Sequence, residues 1–381
     1  MNNKLKLFFA AVYLSCSYAA YAQTQAAFNG QFSGWLTTSP EPVWESQAGI
    51  RYIPEFSLNY NLTSGHTLDS DLAANMYGTG AFRSGNTPEF NGRIKPYRFW
   101  IRFASTKYEV RAGLQKINFG SAVMLRPLMW FDRIDPRDPL QITDGVYALL
   151  GRYYFLNNAN IWIWGLYGND ETKGWELFPT KDKKPEFGSR FQLPVLTGEM
   201  ALSYHERTAQ AYGAYFSIKT PEFIAKEKRY GLDGKWDAGI GLWFEGALIY
   251  QDLPVPSLRY RRMLTLGVDY TFGFGNGLYV QSEYLRIDNS DKPEKLGVAS
   301  SLIALSSSYP VGLFDNFRGL IYHDFKNENW YRFLSWQRTY DNFTFYIMGF
   351  WNPEIFNIYQ NQNQNTFFAG KGIQLMLVFN H

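Results

Sequence analysis

The spacing between alternating apolar segments constrains this chain more than any motif in it. From Phe28 to the C-terminus about eighteen segments read as β-strands, and the gaps between them alternate in length. Gaps 38–45, 78–92, 119–145, 169–185, 208–227, 252–257, 288–296, 324–329 and 353–366 are long. Gaps 62–65, 105–107, 157–159, 196–198, 237–239, 273–277, 309–312 and 339–341 are short. No short gap exceeds five residues and no long gap has fewer than six. A soluble sandwich has no reason to sort its connections by parity. An up-and-down barrel crossing a membrane does, with tight turns at one end and longer loops at the other. The expected fold is all-β: a transmembrane antiparallel up-and-down β-barrel of about 18 strands. Sixteen is within the counting error, because 160–168, 186–195 and 330–338 are weakly patterned.

The strands carry the two faces such a barrel needs. In 51–62, Tyr52, Phe56, Leu58, Tyr60 and Leu62 share one parity, and Arg51, Glu55, Ser57, Asn59 and Asn61 the other. In 258–272, Leu264, Leu266, Val268, Tyr270 and Phe272 oppose Arg259, Arg261, Thr265, Asp269 and Thr271. Strand 240–251 sets Ile240, Leu242, Phe244, Leu248 and Tyr250 against Glu245. A period of two puts alternate side chains on opposite faces. The 18% aromatic content fits belts of Tyr and Trp at two membrane–water interfaces.

Residues 1–22 read as a secretory signal: Lys4 and Lys6, an apolar run from Leu7 to Leu14, and the cleavage site Ala20-Tyr21-Ala22. Lipid attachment at Cys16, the sole cysteine, fits less well, because Tyr13 stands where a lipobox carries Leu. Cleavage after Ala22 leaves residues 23–381 as a single barrel domain without thiols. Net charge is +3, and about +1 without Lys4 and Lys6, which gives no case for nucleic acid. No stretch approaches the ~18 apolar residues of a membrane helix. The one low-complexity tract is Asn361-Gln362-Asn363-Gln364-Asn365, in the last long gap.

With an even strand count both termini lie on the periplasmic side and the long gaps face outward. A barrel of about 16–18 strands leaves an aqueous lumen. Loop 119–145 is too apolar for a tip in water: Val123, Met124, Leu125, Leu128, Met129, Trp130, Phe131, Ile134 and Leu140 need burial, and Pro127, Pro136 and Pro139 stiffen it. It is expected to fold into the lumen as a constriction loop. There Arg126, Arg133 and Arg137 stand against Asp132, Asp135, Asp138 and Asp144. Those charges either set a field across the bore or pin the loop to the wall. The wall nearby is basic. Arg98, Arg102, Arg111 and Arg152 come from three neighbouring strands and should approach one another, with Arg259 and Arg261 also on lumen parity. Arginine suits anionic solutes; pairing with Glu109, Asp132 and Asp135 is the competing account.

These residues resemble porin-like outer-membrane barrels of Gram-negative bacteria, in which general porins carry the constriction loop after the fifth strand. Arg111-Ala112-Gly113-Leu114-Gln115, running to Gly120, also resembles the turn into a long loop of alginate-export-type barrels. That second resemblance implies an arginine-rich lumen for an anionic polysaccharide. Ile373, Leu375, Leu377 and Phe379 resemble the terminal strand recognised by barrel-assembly machinery, although that strand usually ends in Phe and this chain ends in His381.

Enzyme chemistry finds little support. His66, His205, His323 and His381 have no partners at metal-ligand spacing, and there is no G-x-S-x-G elbow. Ser203 beside His205 gives a faint hint of a hydrolase pair. Calcium at Asp132, Asp135 and Asp138 is argued against by the interleaved arginines. The expected function is a non-enzymatic outer-membrane channel for passive diffusion of small polar or anionic solutes, without cofactor or metal. Its surroundings would be outer-membrane lipids and lipopolysaccharide, with homo-oligomerisation open. An exporter of an anionic polysaccharide and a structural or adhesive barrel with an occluded lumen are the alternatives.

Overall fold

The computed structural model describes residues 24–40, 44–62, 65–212 (Tyr212 without its side chain), 222–354 and 368–381. The expected signal segment 1–22 with Cys16, the Asn361–Asn365 tract, residues 213–221 of gap 208–227 and most of gap 353–366 lie outside the described residues.

Eighteen strands run in chain order: β1 (Thr24–Ser39), β2 (Glu45–Leu62), β3 (His66–Arg83), β4 (Glu89–Ala104), β5 (Tyr108–Gln115), β6 (Val146–Tyr154), β7 (Asn160–Leu166), β8 (Glu186–Val195), β9 (Gly198–Tyr212), β10 (Glu222–Asp237), β11 (Gly241–Gln251), β12 (Tyr260–Phe272), β13 (Leu278–Ser290), β14 (Val298–Val311), β15 (Asp315–Asp324), β16 (Asn329–Thr339), β17 (Phe343–Trp351) and β18 (Lys371–Asn380). Each pairs antiparallel with its sequence neighbours, and β1 pairs with β18 to close the cylinder. Closure leaves no free sheet edge. The strand count and up-and-down order are as the spacing predicts, and the three weakly patterned segments are strands β7, β8 and β16.

The gap lengths need correction. Strands at the loop end run further than the alternation shows, so gaps 38–45, 78–92 and 324–329 shrink to 40–44, 84–88 and 325–328. Hairpin pairing there continues through polar residues such as Glu45, which meets Arg83 at 2.7 Å. The long connections that remain include 116–145 and 167–185.

Large apolar side chains cover the outer wall. Ile163 is 63% exposed, Phe99 61%, Leu149 57% and Ile373 52%. An apolar band spread over the strands of a closed cylinder exceeds what water tolerates, and acyl chains are the solvent that suits it. Aromatic pairs mark both rims. Tyr153 with Phe155 and Tyr270 with Phe272 lie at the turn end; Tyr250 with Tyr260 and Phe82 with Phe90 lie at the loop end. His381 completes the turn-end belt. Its ring stacks 6.0 Å from Tyr52, its Nε2 lies 3.0 Å from the Tyr52 hydroxyl, and Gly30 and His381 exchange backbone hydrogen bonds across the closing seam.

Candidate functional site

Loop 119–145 enters the barrel because the wall supplies partners for its backbone. Gly120 has φ +101°, and a Cβ there would lie 2.3 Å from the Glu245 carboxylate, so glycine lets the chain turn tightly against β11. Glu245 then accepts the N–H groups of Ala122 at 2.8 Å and Leu128 at 2.5 Å. Glu283 on β13 accepts from Val123, Met124 and Leu125 at 2.7, 2.9 and 2.6 Å, and from the Trp243 indole at 3.0 Å. Two wall carboxylates thus satisfy five backbone donors in a buried loop, where an unpaired one would cost about 1–3 kcal/mol.

Packing follows. Met124, Leu125, Leu128, Trp130 and Phe131 are buried against inward residues of the wall, among them Trp164, Met263, Leu285, Tyr322, Tyr331 and Phe350. Each such side chain adds roughly 1.5–3 kcal/mol of burial. The expected water-filled lumen is corrected here: an apolar core occupies much of the interior.

A second loop, 167–185, also folds inward. The Trp175 indole donates to the Arg126 carbonyl at 2.8 Å, locking the two loops together. Beneath them lies a balanced network of three cations and three carboxylates. Lys173 meets Glu186 at 2.9 Å, Arg207 meets Glu227 at 2.7 Å, and Arg229 meets Glu176 at 2.6 Å. Next to it, Arg190 holds Asp233 with two nitrogens, at 2.6 and 2.8 Å. His205 belongs to this packing. It is fully buried between Glu186, 3.0 Å away, and the Trp164 indole N–H at 3.2 Å. The Ser203 hydroxyl accepts from Arg190 instead, at 3.0 Å, so no Ser–His pair forms.

The basic wall separates into two places. Arg102, Arg111 and Arg152 converge on Glu109 at 3.4, 3.9 and 2.9 Å, and Arg102 also holds Asp69 at 2.8 Å. Arg111 and Arg152 lie over Trp100 and Trp162. Arg98 does not join them. It donates to the Tyr97 carbonyl of its own strand at 2.5 Å and to the Thr143 carbonyl of the loop at 3.2 Å. Arg261 donates to Asn289 and to the Trp175 carbonyl, inside the filled part of the lumen. Arg259 precedes β12 and binds the Leu253 carbonyl at 2.9 Å, within its own connection, so it is not on a strand wall.

The loop charges divide similarly. Arg126 and Asp132 form a buried pair at 2.8 Å that ties the loop to itself. Burial opposes the Arg126 charge, but Asp132 and the neighbouring Glu245 and Glu283 carboxylates hold its pKa above the ordinary arginine value. Arg137 pairs with Asp135 at 2.5 Å and lies over Phe368. Arg133 donates to Thr172 of the second loop at 2.8 Å. Arg133, Asp135 and Asp138 line open space, whereas Arg126 and Asp132 do not.

That open space follows the β1–β4 wall and β18. A cavity of about 620 Å³ opens at the loop end, lined by Trp35, Arg51, Tyr77, Lys95, Asp138 and Asp144 among others. A second, also about 620 Å³, opens at the turn end, lined by Asn29, Glu55, Asn380 and His381. Both are bounded by Leu140 and Ile142 of the loop, with Ile53 and Tyr97 of the wall on the turn-end side. A β-bulge shapes that wall. The β3–β4 register shifts between Ala73 and Ala74, opposite Pro96, which lacks an N–H for the ladder. The extra residue, Tyr97, then joins Lys95 and Arg98 on the lumen side.

The Arg111–Gly120 segment has a local explanation. Gly113 has φ +119°, and a Cβ there would lie 2.2 Å from the Phe99 carbonyl. Gln115 is fully buried and donates to the Ala148 carbonyl at 2.9 Å. These residues hold β5 against its neighbours where the loop departs. Sequence reasoning did not single out Glu283, Lys173, Glu176, Arg190 or Asp233. Trp175, Leu177 and Phe178 in a supposedly outer loop were the available signal.

Fold and lumen together define a porin-like transmembrane β-barrel: closed, antiparallel, with the connection after β5 folded inside. No family model and no curated protein matches the chain. Among solved structures, it is similar to Salmonella typhi OmpF in complex with daunomycin, at 9% identity, covering 93% of this chain and 97% of that one, with TM-score 0.46. Two engineered variants of the Rh. blastica porin match at 11% identity, covering 94% of this chain and 100% of theirs, with TM-scores of 0.45 and 0.43. Likeness of this degree concerns the general course of the chain; the class rests on strand pairing, outer wall and lumen.

Proposed function

We propose that this chain is an outer-membrane channel for passive diffusion of small polar solutes, with its loop end facing the exterior. The observation that carries the reading is the pair of cavities that share Leu140 and Ile142 along one wall, while an apolar core fills much of the rest of the lumen. Loop 119–145 therefore sets the bore with its second half and anchors itself with its first. Lipids and lipopolysaccharide would contact the outer wall, and the alternating β18 would serve assembly. The route is lined largely by polar and charged groups, which supports the passage of polar solutes.

Anion preference is the finer part of the proposal. Arg102, Arg111 and Arg152 cluster around Glu109 and Asp69, and it is this concentration of guanidinium groups, with Glu55 and Asp71 close by, that supports it rather than a net positive charge. Single-channel recording in planar bilayers tests the whole reading. Discrete steps with a weak anion preference are expected. A barrel that gives no steps in any salt is instead a structural one, a second reading that the apolar filling of the lumen favours.

A further inference from the structure

The wall of the loop-end cavity carries polar groups that the protein does not use. Gln47 and Asn75 are only 8% and 2% exposed. Neither amide oxygen has a hydrogen-bond partner among the described residues. Arg51 between them has an unpartnered Nε and no carboxylate within ion-pair distance among the described residues. Its guanidinium sits instead between the rings of Trp35 and Tyr77, at 5.4 and 5.7 Å. These five residues occupy adjoining inward positions. Trp35 pairs with Gly49, which separates Gln47 from Arg51, and Arg51 pairs with Tyr77. Gly49 is needed there, since a Cβ would come 2.2 Å from the Trp35 ring. The indole therefore rests against β2 rather than standing across the cavity.

Buried polar groups are ordinarily satisfied, so an unpaired set lining a cavity of about 620 Å³ offers its hydrogen-bonding capacity to a solute entering there. Its chemistry is specific. Side-chain amides can turn either oxygen or nitrogen to a ligand, and the guanidinium only donates. A hydroxylated ring supplies donors to the amide oxygens, acceptors to Arg51 and an apolar C–H face to the aromatic rings. A bare carboxylate satisfies Arg51 alone, because it has no proton to give Gln47 or Asn75.

We propose that Trp35, Gln47, Arg51, Asn75 and Tyr77 form a sugar-binding subsite at the mouth of the passage, taking the pyranose ring of a mono- or disaccharide. This rests on the reading of that cavity as the solute's entrance. Calorimetric titration of the folded barrel in detergent, with glucose, glucuronate and propionate as probes, tests it. Saturable binding of both sugars is expected, weakened at least tenfold by Asn75→Leu and by Trp35→Leu with thermal unfolding unchanged. The Asn75 side chain has no hydrogen bond to lose among the described residues, so its variant carries the test if Trp35→Leu misfolds. Absence of saturable heat with either sugar, sugar binding untouched by Asn75→Leu, or propionate binding as tightly as glucuronate would each overturn the subsite. Conductance is read separately. A conducting barrel that ignores sugars keeps the channel and loses the subsite; a sugar-binding barrel without conductance does the reverse.

Discussion

The Glu283 carboxylate lies 2.6 Å from the backbone nitrogen of Leu125, joining the wall at β13 to a fully buried residue of the inward loop. The carbonyl of the same residue accepts the Thr265 hydroxyl at 2.6 Å, so β12 and β13 hold both backbone polar groups of one residue. This is how a stretch without regular structure persists inside a membrane barrel: the lumen wall replaces the water its backbone would require.

Glu283→Ala removes the acceptor of three consecutive N–H groups. At about 1–3 kcal/mol for each unpaired donor, the loop loses several kcal/mol of docking. The variant should still form a barrel, because the strand ladders are untouched. Its single-channel conductance is expected to rise, and chymotrypsin should reach Phe131, which is buried in the native protein. An unchanged conductance with a protected loop would mean that packing alone holds it.

Leu140 and Ile142 bound both cavities, so their size should decide the bore. The double variant Leu140→Ala, Ile142→Ala is expected to raise conductance, and Ile142→Trp to lower it, with little effect on thermal stability because both residues are only half-buried. Equal currents in all three proteins would place the narrowest point elsewhere.

Glu109 is the carboxylate shared by Arg102, Arg111 and Arg152. Glu109→Gln keeps the shape and removes one negative charge, so reversal potentials under a salt gradient should move toward anion selectivity. Arg102→Gln should move them the other way. The shift should shrink as salt rises, since the three arginines are partly exposed and screened. A Glu109→Gln protein with native selectivity would show that this cluster is structural only.

The cylinder was legible because its signal repeats: each strand restates the period of two, and errors in single segments leave the count intact. The inward loop was legible from the burial demands of Leu125, Trp130 and Phe131. The filled lumen was missed, although its trace is present. In Leu302-Ile303-Ala304-Leu305 and Phe345-Tyr346-Ile347-Met348 both parities are apolar, which a strand between lipid and water does not need. Charge pairing across the barrel was less accessible. Arg190 and Asp233 meet at 2.6 Å from positions 43 residues apart, and no local pattern marks either as the other's partner. The bulge at Tyr97 was hidden too, since a register shift depends on the neighbouring strand.

Asp138 gives the passage a pH dependence. It lies in the loop, beside the loop-end cavity, and accepts the Leu140 N–H at 2.9 Å. Desolvation raises its pKa above the ordinary carboxylate value, and Asp135 adds to this against the opposing hydrogen bond to Leu140. The folded protein thus holds this proton to a higher pH than the unfolded chain does. The stabilisation is full below the ordinary pKa and is lost as pH rises through the raised one. On acidification Asp138 should lose its charge before unshifted carboxylates do, which leaves Arg51 and Arg133 less opposed in that cavity. Reversal potentials of the native channel should therefore move toward anions as pH falls. Asp138→Asn should already show the shifted value near neutrality and stay flat over the same range. If the variant follows the native pH curve, another carboxylate controls the entrance and Asp138 serves only to shape the turn into Leu140 and Ile142.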